Sequence, residues 1–118
     1  MRNDELSTQS MDFAVQIINL VKDLKSKHET VISNQIGRSG TSIGANIREA
    51  QYAHGKPDFI AKLQIALKEC YETEYWIEIA QKADIVSEES VKTLLHDCGA
   101  IRRMLIASIN TSKENSRG

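Results

Sequence analysis

Residues 30–53, TVISNQIGRSGTSIGANIREAQYA, decide how this chain folds. Ile32, Ile36, Ile43, Ile47 and Ala50 fall on one stripe of a 3.6-residue period, the signature of an amphipathic helix. A second stripe, Ser33, Gly37, Gly40 and Gly44, runs beside it, and its small side chains let another helix approach closely. Each glycine inside a helix costs about 1 kcal/mol relative to alanine. Three together therefore need compensation from tight packing or a bound partner. The competing reading is a loop around Arg38-Ser39-Gly40, which would leave three long helices and a broken one.

Upstream, from Ser10 to about Ser26, Phe13, Ile17, Leu20, Val21 and Leu24 share one helical face, and Lys22, Lys25 and Lys27 suit the negative end of the helix dipole. Downstream, Gly55 suits a helix stop and Pro57 the first position of the next helix, where its missing N–H goes unneeded. The run from Pro57 to Ala83 carries Phe59, Leu63, Ala66, Leu67, Cys70, Ile77 and Ala80 on its main face. Ile60, Tyr71, Tyr75, Trp76 and Ile79 widen that face beyond what one bundle core needs, so part of it is expected to pack between subunits. The rival account is a broad core contact with helices one and two. Ser87 is the candidate N-cap of a fourth helix, with Glu88 and Glu89 in its first turn, and Val91, Leu94, Cys98, Ile101, Leu105 and Ser108 follow as a heptad-like seam. The expected fold is all-α, an up-and-down antiparallel four-helix bundle over residues 10–110, with 1–9 and 111–118 as flexible termini.

Composition agrees. The chain has 118 residues, one proline and only 5% aromatics, which favours a single helical domain over a turn-rich β fold. Fifteen basic and sixteen acidic residues leave a formal net charge of −1, so bulk electrostatics announce neither a nucleic-acid nor a membrane binder. The N-terminal MRNDELSTQ has no signal-peptide apolar run, and no stretch nears the roughly 18 apolar residues of a membrane span. A cytoplasmic protein is expected. Cys70 and Cys98 stand on separate helices without Cys-x-x-Cys spacing and read as buried, reduced thiols.

Catalytic constellations are absent from the pattern. A di-metal bundle needs Glu-x-x-His pairs, and His28, His54 and His96 each lack the glutamate three residues before. Glu69 and Glu72 form an i, i+3 pair that could serve acid/base work, but nothing completes a site around them. No Gly-x-Ser-x-Gly elbow and no phosphate loop occur. The expectation is a non-enzyme with no metal and no cofactor. Ser42, Asn46 and Glu49 share a face beside the glycine stripe and are expected to hydrogen-bond across it to Glu69, Glu72 or Tyr75 as a structural polar network. Arg38, Arg48, Arg102 and Arg103 are the candidates for phosphate contact, although solvated salt bridges account for all four equally well.

RSGTSIGANIREA, with KPDFIAKLQIALKECYETEYWIEIA after it, resembles the bacterial four-helix-bundle family related to ribosomal RNA (rRNA) intervening-sequence proteins. The likeness runs from about Met11 to Ile109 and is strongest at Asn46-Ile47-x-Glu49-Ala50 and at Phe59, Leu63, Ala66, Leu67 and Glu69. It implies a non-catalytic bundle that forms ring-like homo-oligomers, typically pentamers. The chain is also similar to the accessory variability proteins of diversity-generating retroelements, basic barrels that bind a reverse transcriptase and nucleic acid. That likeness implies RNA or a nucleic-acid-processing protein as partner, with the four arginines as contacts; the alternative, drawn from the balanced charge and the broad apolar band, is a protein–protein interaction module with no nucleic-acid contact.

Overall fold

The computed structural model describes residues 4–117 and consists there of four helices, α1 (Asp4–Ser26), α2 (Thr30–Ala50), α3 (Lys56–Lys82) and α4 (Glu88–Arg117). Each helix packs on its neighbours in sequence, and α4 closes back on α1, so α1 and α3 stand at opposite corners of the bundle. Short connections make the neighbours antiparallel, and the body measures 51 × 21 × 20 Å.

The glycine stripe explains how α1 meets α2. α2 runs unbroken through Arg38-Ser39-Gly40, which removes the loop alternative. A Cβ on Gly40 would stand 2.7–2.9 Å from three side-chain atoms of Ile17, so the absence of a side chain is what admits Ile17 of α1. Gly37 faces Val21 and Gly44 faces Ser10 in the same antiparallel register. The stripe of small residues is thus the α1–α2 seam, and the isoleucine stripe beside it fills the core with Phe13, Leu24, Leu63, Ile77, Ile101 and Leu105.

Two helices extend beyond the limits their periodicity suggests. α1 begins at Asp4 rather than Ser10, and Leu6 is fully buried. Ser10 is a buried residue within the helix, its hydroxyl donating to the Ser7 carbonyl at 3.1 Å. α4 continues past Asn110 to Arg117 because Ile109, rather than Ser108, completes the seam after Leu105, and no proline or glycine interrupts the helix before Arg117. Of the expected flexible termini, residues 4–9 and 111–117 are therefore helical, while 1–3 and 118 lie outside the described residues. α2, conversely, stops at Ala50 instead of Ala53, and Gly55 becomes the N-cap of α3 with φ 142°. Pro57 sits in the first turn of α3, as expected, and Ser87 caps α4, accepting the Ser90 N–H at 3.1 Å.

Candidate interaction surface

Helix α3 shows how its wide apolar band is shared. Leu63, Ala66, Cys70, Thr73, Ile77 and Ala80 enter the core, and Phe59, Leu67, Trp76 and Ile79 are half-buried around it. Ile65, Tyr71 and Tyr75 remain in solvent, the tyrosines 51% and 56% exposed. Both rings are held in place: Tyr75 meets Trp76 edge-on at 5.2 Å, and the Arg102 guanidinium from α4 lies 5.5 Å over the Tyr71 ring. The band thus serves the core and also leaves an apolar outer face.

A second apolar surface lies on α1. Met11, Val15 and Ile18 recur at one helical face and are 52%, 55% and 43% exposed. Beside them, between α1 and α2, runs a groove of about 270 Å³ whose walls include Met11, Ala14, Thr41, Gly44, Ala45 and Arg48. The groove exists because small side chains line the seam on its outer side as well as inside.

The charged residues divide into separate clusters. Arg38 bridges from α2 to Glu72 of α3, with Glu69 at 3.6 Å, and the Trp76 indole N–H donates to Glu72 at 2.9 Å. Burial, and next the neighbouring Glu72, push the Glu69 carboxyl above its ordinary range against the opposing pull of Arg38. Glu69 Oε1 is buried with no hydrogen bond, since 3.6 Å to the guanidinium is a charge contact only. Glu72 is held below its ordinary range, chiefly by the Trp76 indole and then by Arg38. On the other flank of α3, Arg102 pairs with Glu74 at 3.1 Å, which raises the guanidinium further. Arg48 and Arg103 have no carboxylate partner among the described residues.

The expected polar network is thus not one unit. Glu69 and Glu72 do join α2 to α3, but through Arg38. Asn46 turns back within its own helix, donating to the Ser42 carbonyl at 2.9 Å, and Glu49 pairs with Lys62 of α3 at 2.9 Å. The buried cross-helix bond is made instead by two hydroxyls, Thr73 and Ser39, 2.9 Å apart, with Ser39 donating onward to the Gln35 carbonyl. Both sit on the core-facing stripes at the right period, a signal that the apolar pattern masks. The thiols of Cys70 and Cys98 also meet, across the α3–α4 seam: both are buried, Cys98 Sγ lies 3.6 Å from the Cys70 carbonyl, and the hydrogen bond to Cys70 and burial push its pKa up. His28 ends α1, His54 lies between α2 and α3, and His96 touches Asp97 at 3.4 Å. Among the described residues no three His, Cys, Asp or Glu side chains are grouped to hold a metal ion.

Fold and sequence together place the molecule among helical-bundle proteins. The chain belongs to the family described as 23S rRNA-intervening sequence protein, which matches residues 2–107. It is similar, at 47% identity, to a protein of unknown function from the S23 ribosomal protein family of Bacteroides thetaiotaomicron. That crystal structure aligns over 88% of this chain and 97% of its own with a TM-score of 0.86. No curated protein matches the sequence. No described helix is long and apolar enough to cross a membrane.

Proposed function

We propose that this chain is a non-catalytic scaffold that assembles with copies of itself into a closed, ring-like homo-oligomer, for which the pentamer implied by the family resemblance is the working stoichiometry. The observation that carries the reading is the pair of separate apolar surfaces, Met11, Val15 and Ile18 with the adjoining groove on one side, and Ile65, Tyr71 and Tyr75 on another. Rigid aromatics exposed on a helix face are the residue types that anchor protein interfaces. One such surface accounts for a single partner, whereas two on different helices let each copy hold two neighbours.

An RNA partner is the second reading, favoured by the family's tie to rRNA intervening sequences and by Arg48 and Arg103. Arg38 and Arg102 contribute little to it, because each already lies against a carboxylate. Charge dispersed in this way weighs toward protein contact. Native mass spectrometry of protein purified at low salt without nuclease distinguishes the readings. A clean multimer supports the scaffold alone, and nucleic-acid mass that leaves as salt rises supports the RNA reading. A monomer at micromolar concentration overturns the scaffold.

A further inference from the structure

We infer that assembly is head-to-tail, with the α3 face of one copy seated in the α1–α2 groove of the next, an inference that rests on the self-assembly reading above. The groove is walled by Met11, Ala14, Thr41, Gly44 and Ala45, short side chains apart from the methionine, so its surface is covered only by a group that protrudes from outside. The molecule carries such groups on α3. Tyr71 and Tyr75 stand half in solvent on a rigid helix, each with an apolar ring to lie against Ala14 and Ala45 and a hydroxyl to reach Thr41.

Charge fixes the direction. Arg48 stands at the groove, one helical turn beyond Ala45, with no carboxylate among the described residues to meet it. Glu78 is exposed one turn beyond Tyr75 and has no basic partner among the described residues. Setting Tyr75 against Ala45 therefore brings Glu78 to Arg48, with α3 of the incoming copy parallel to α2. Groove-to-groove pairing would instead leave both hollows unfilled and bring Arg48 no carboxylate, since none lines the groove. The groove opens between α1 and α2, while the tyrosines project from α3, so one copy uses both surfaces at once. A head-to-tail contact repeated from copy to copy closes into a ring when the rotation between copies allows it.

Two variants test this by complementation. Tyr71→Ala with Tyr75→Ala removes the protrusion, and Ala45→Trp plugs the groove from an exposed helical position, with circular dichroism confirming that each folds. Light scattering coupled to gel filtration is expected to show each variant alone as a single chain, its association weakened at least about a hundredfold. An equimolar mixture is expected to form a species of two chains and no larger, because one intact groove meets one intact α3 face. Glu78→Arg is expected to dissociate the wild-type assembly and to be rescued by Arg48→Glu in the same chain. An assembled wild type whose variants stay assembled, or whose dissociated variants fail to pair on mixing, overturns the head-to-tail docking alone. A monomeric wild type overturns the self-assembly reading and this docking with it.

Discussion

The absence of one methylene-sized group at Gly40 sets the distance between α1 and α2. A β-carbon there meets Cγ1, Cδ1 and Cγ2 of Ile17 at 2.7–2.9 Å, and Ile17 is fully buried with no free direction to turn. Gly40→Ala is expected to destabilise the chain by about 1–3 kcal/mol, because overpacking outweighs the roughly 1 kcal/mol of helix propensity gained. Gly44 is the control: its added β-carbon would touch Ser10 at 3.4 Å, an ordinary contact, so Gly44→Ala is expected to be neutral or stabilising by up to about 1 kcal/mol. Urea titration of both variants checks the difference. The periodic stripe makes the close approach legible in the sequence, but spacing alone assigns no partner, and Ile17 emerges only once the register is seen. At Glu69 the residue type is legible and its state is not. Its pKa in the fold lies above that of the unfolded chain, so its contribution is favourable below the unfolded value and is lost as pH rises through the folded one. Glu72, lowered, contributes in the opposite sense and is lost as pH falls. Glu69→Gln is therefore expected to be more stable than the native chain at pH 7, because the amide carries no charge to desolvate or to repel Glu72. That advantage shrinks toward zero below the ordinary glutamate value of 4.5, where the native side chain is itself neutral. Thermal unfolding at the two pH values reads it out.

The ends of α1 and α3 fall within one residue of where periodicity puts them, although neither carries the glycine that usually marks such a turn. At both ends the chain turns through the same pair of backbone bonds. Glu29 donates to the Leu24 carbonyl and His28 to that of Lys25, as Ile85 does to Ala80 and Asp84 to Gln81. This arrangement puts its turning residue in the left-handed region, a place glycine usually takes. Here His28 and Asp84 take it, with φ of 64° and 60°. Gly55, the glycine that does flag a helix boundary, serves the start of α3 instead of the end of α2. A β-carbon in the left-handed region costs about 1–2 kcal/mol, part of which a glycine would return through its freer unfolded chain. His28→Gly and Asp84→Gly are each expected to raise stability by about 0.5–1 kcal/mol and to add when combined, since they lie at separate turns. Chemical denaturation of the two single variants and the double variant tests both claims.

Across the whole molecule, periodicity assigns each side chain to a face and leaves open which neighbour that face meets. The bundle, its core isoleucines and the surplus apolar width of α3 are legible for that reason. The meeting of Cys70 with Cys98, the hydroxyl pair of Ser39 and Thr73, and the neutralisation of Arg38 and Arg102 are not, because each depends on the axial register of two helices that local sequence does not encode. The α1–α2 groove is missed on the same ground: it is a space between elements, lined by residues whose smallness already has an explanation in packing. If these surfaces join copies of the chain, folding and assembly become one equilibrium, and stability depends on protein concentration. A tenfold rise in concentration then adds up to about 1.4 kcal/mol per chain, which moves the thermal midpoint upward by several degrees for a domain of this size. The variant carrying Tyr71→Ala and Tyr75→Ala is expected to melt at a midpoint that does not move with concentration, since both rings are exposed and their loss leaves the buried core intact. Differential scanning calorimetry across a hundredfold range of concentration separates the cases: a native midpoint that stays fixed means that the apolar faces of α1 and α3 do not bind one another.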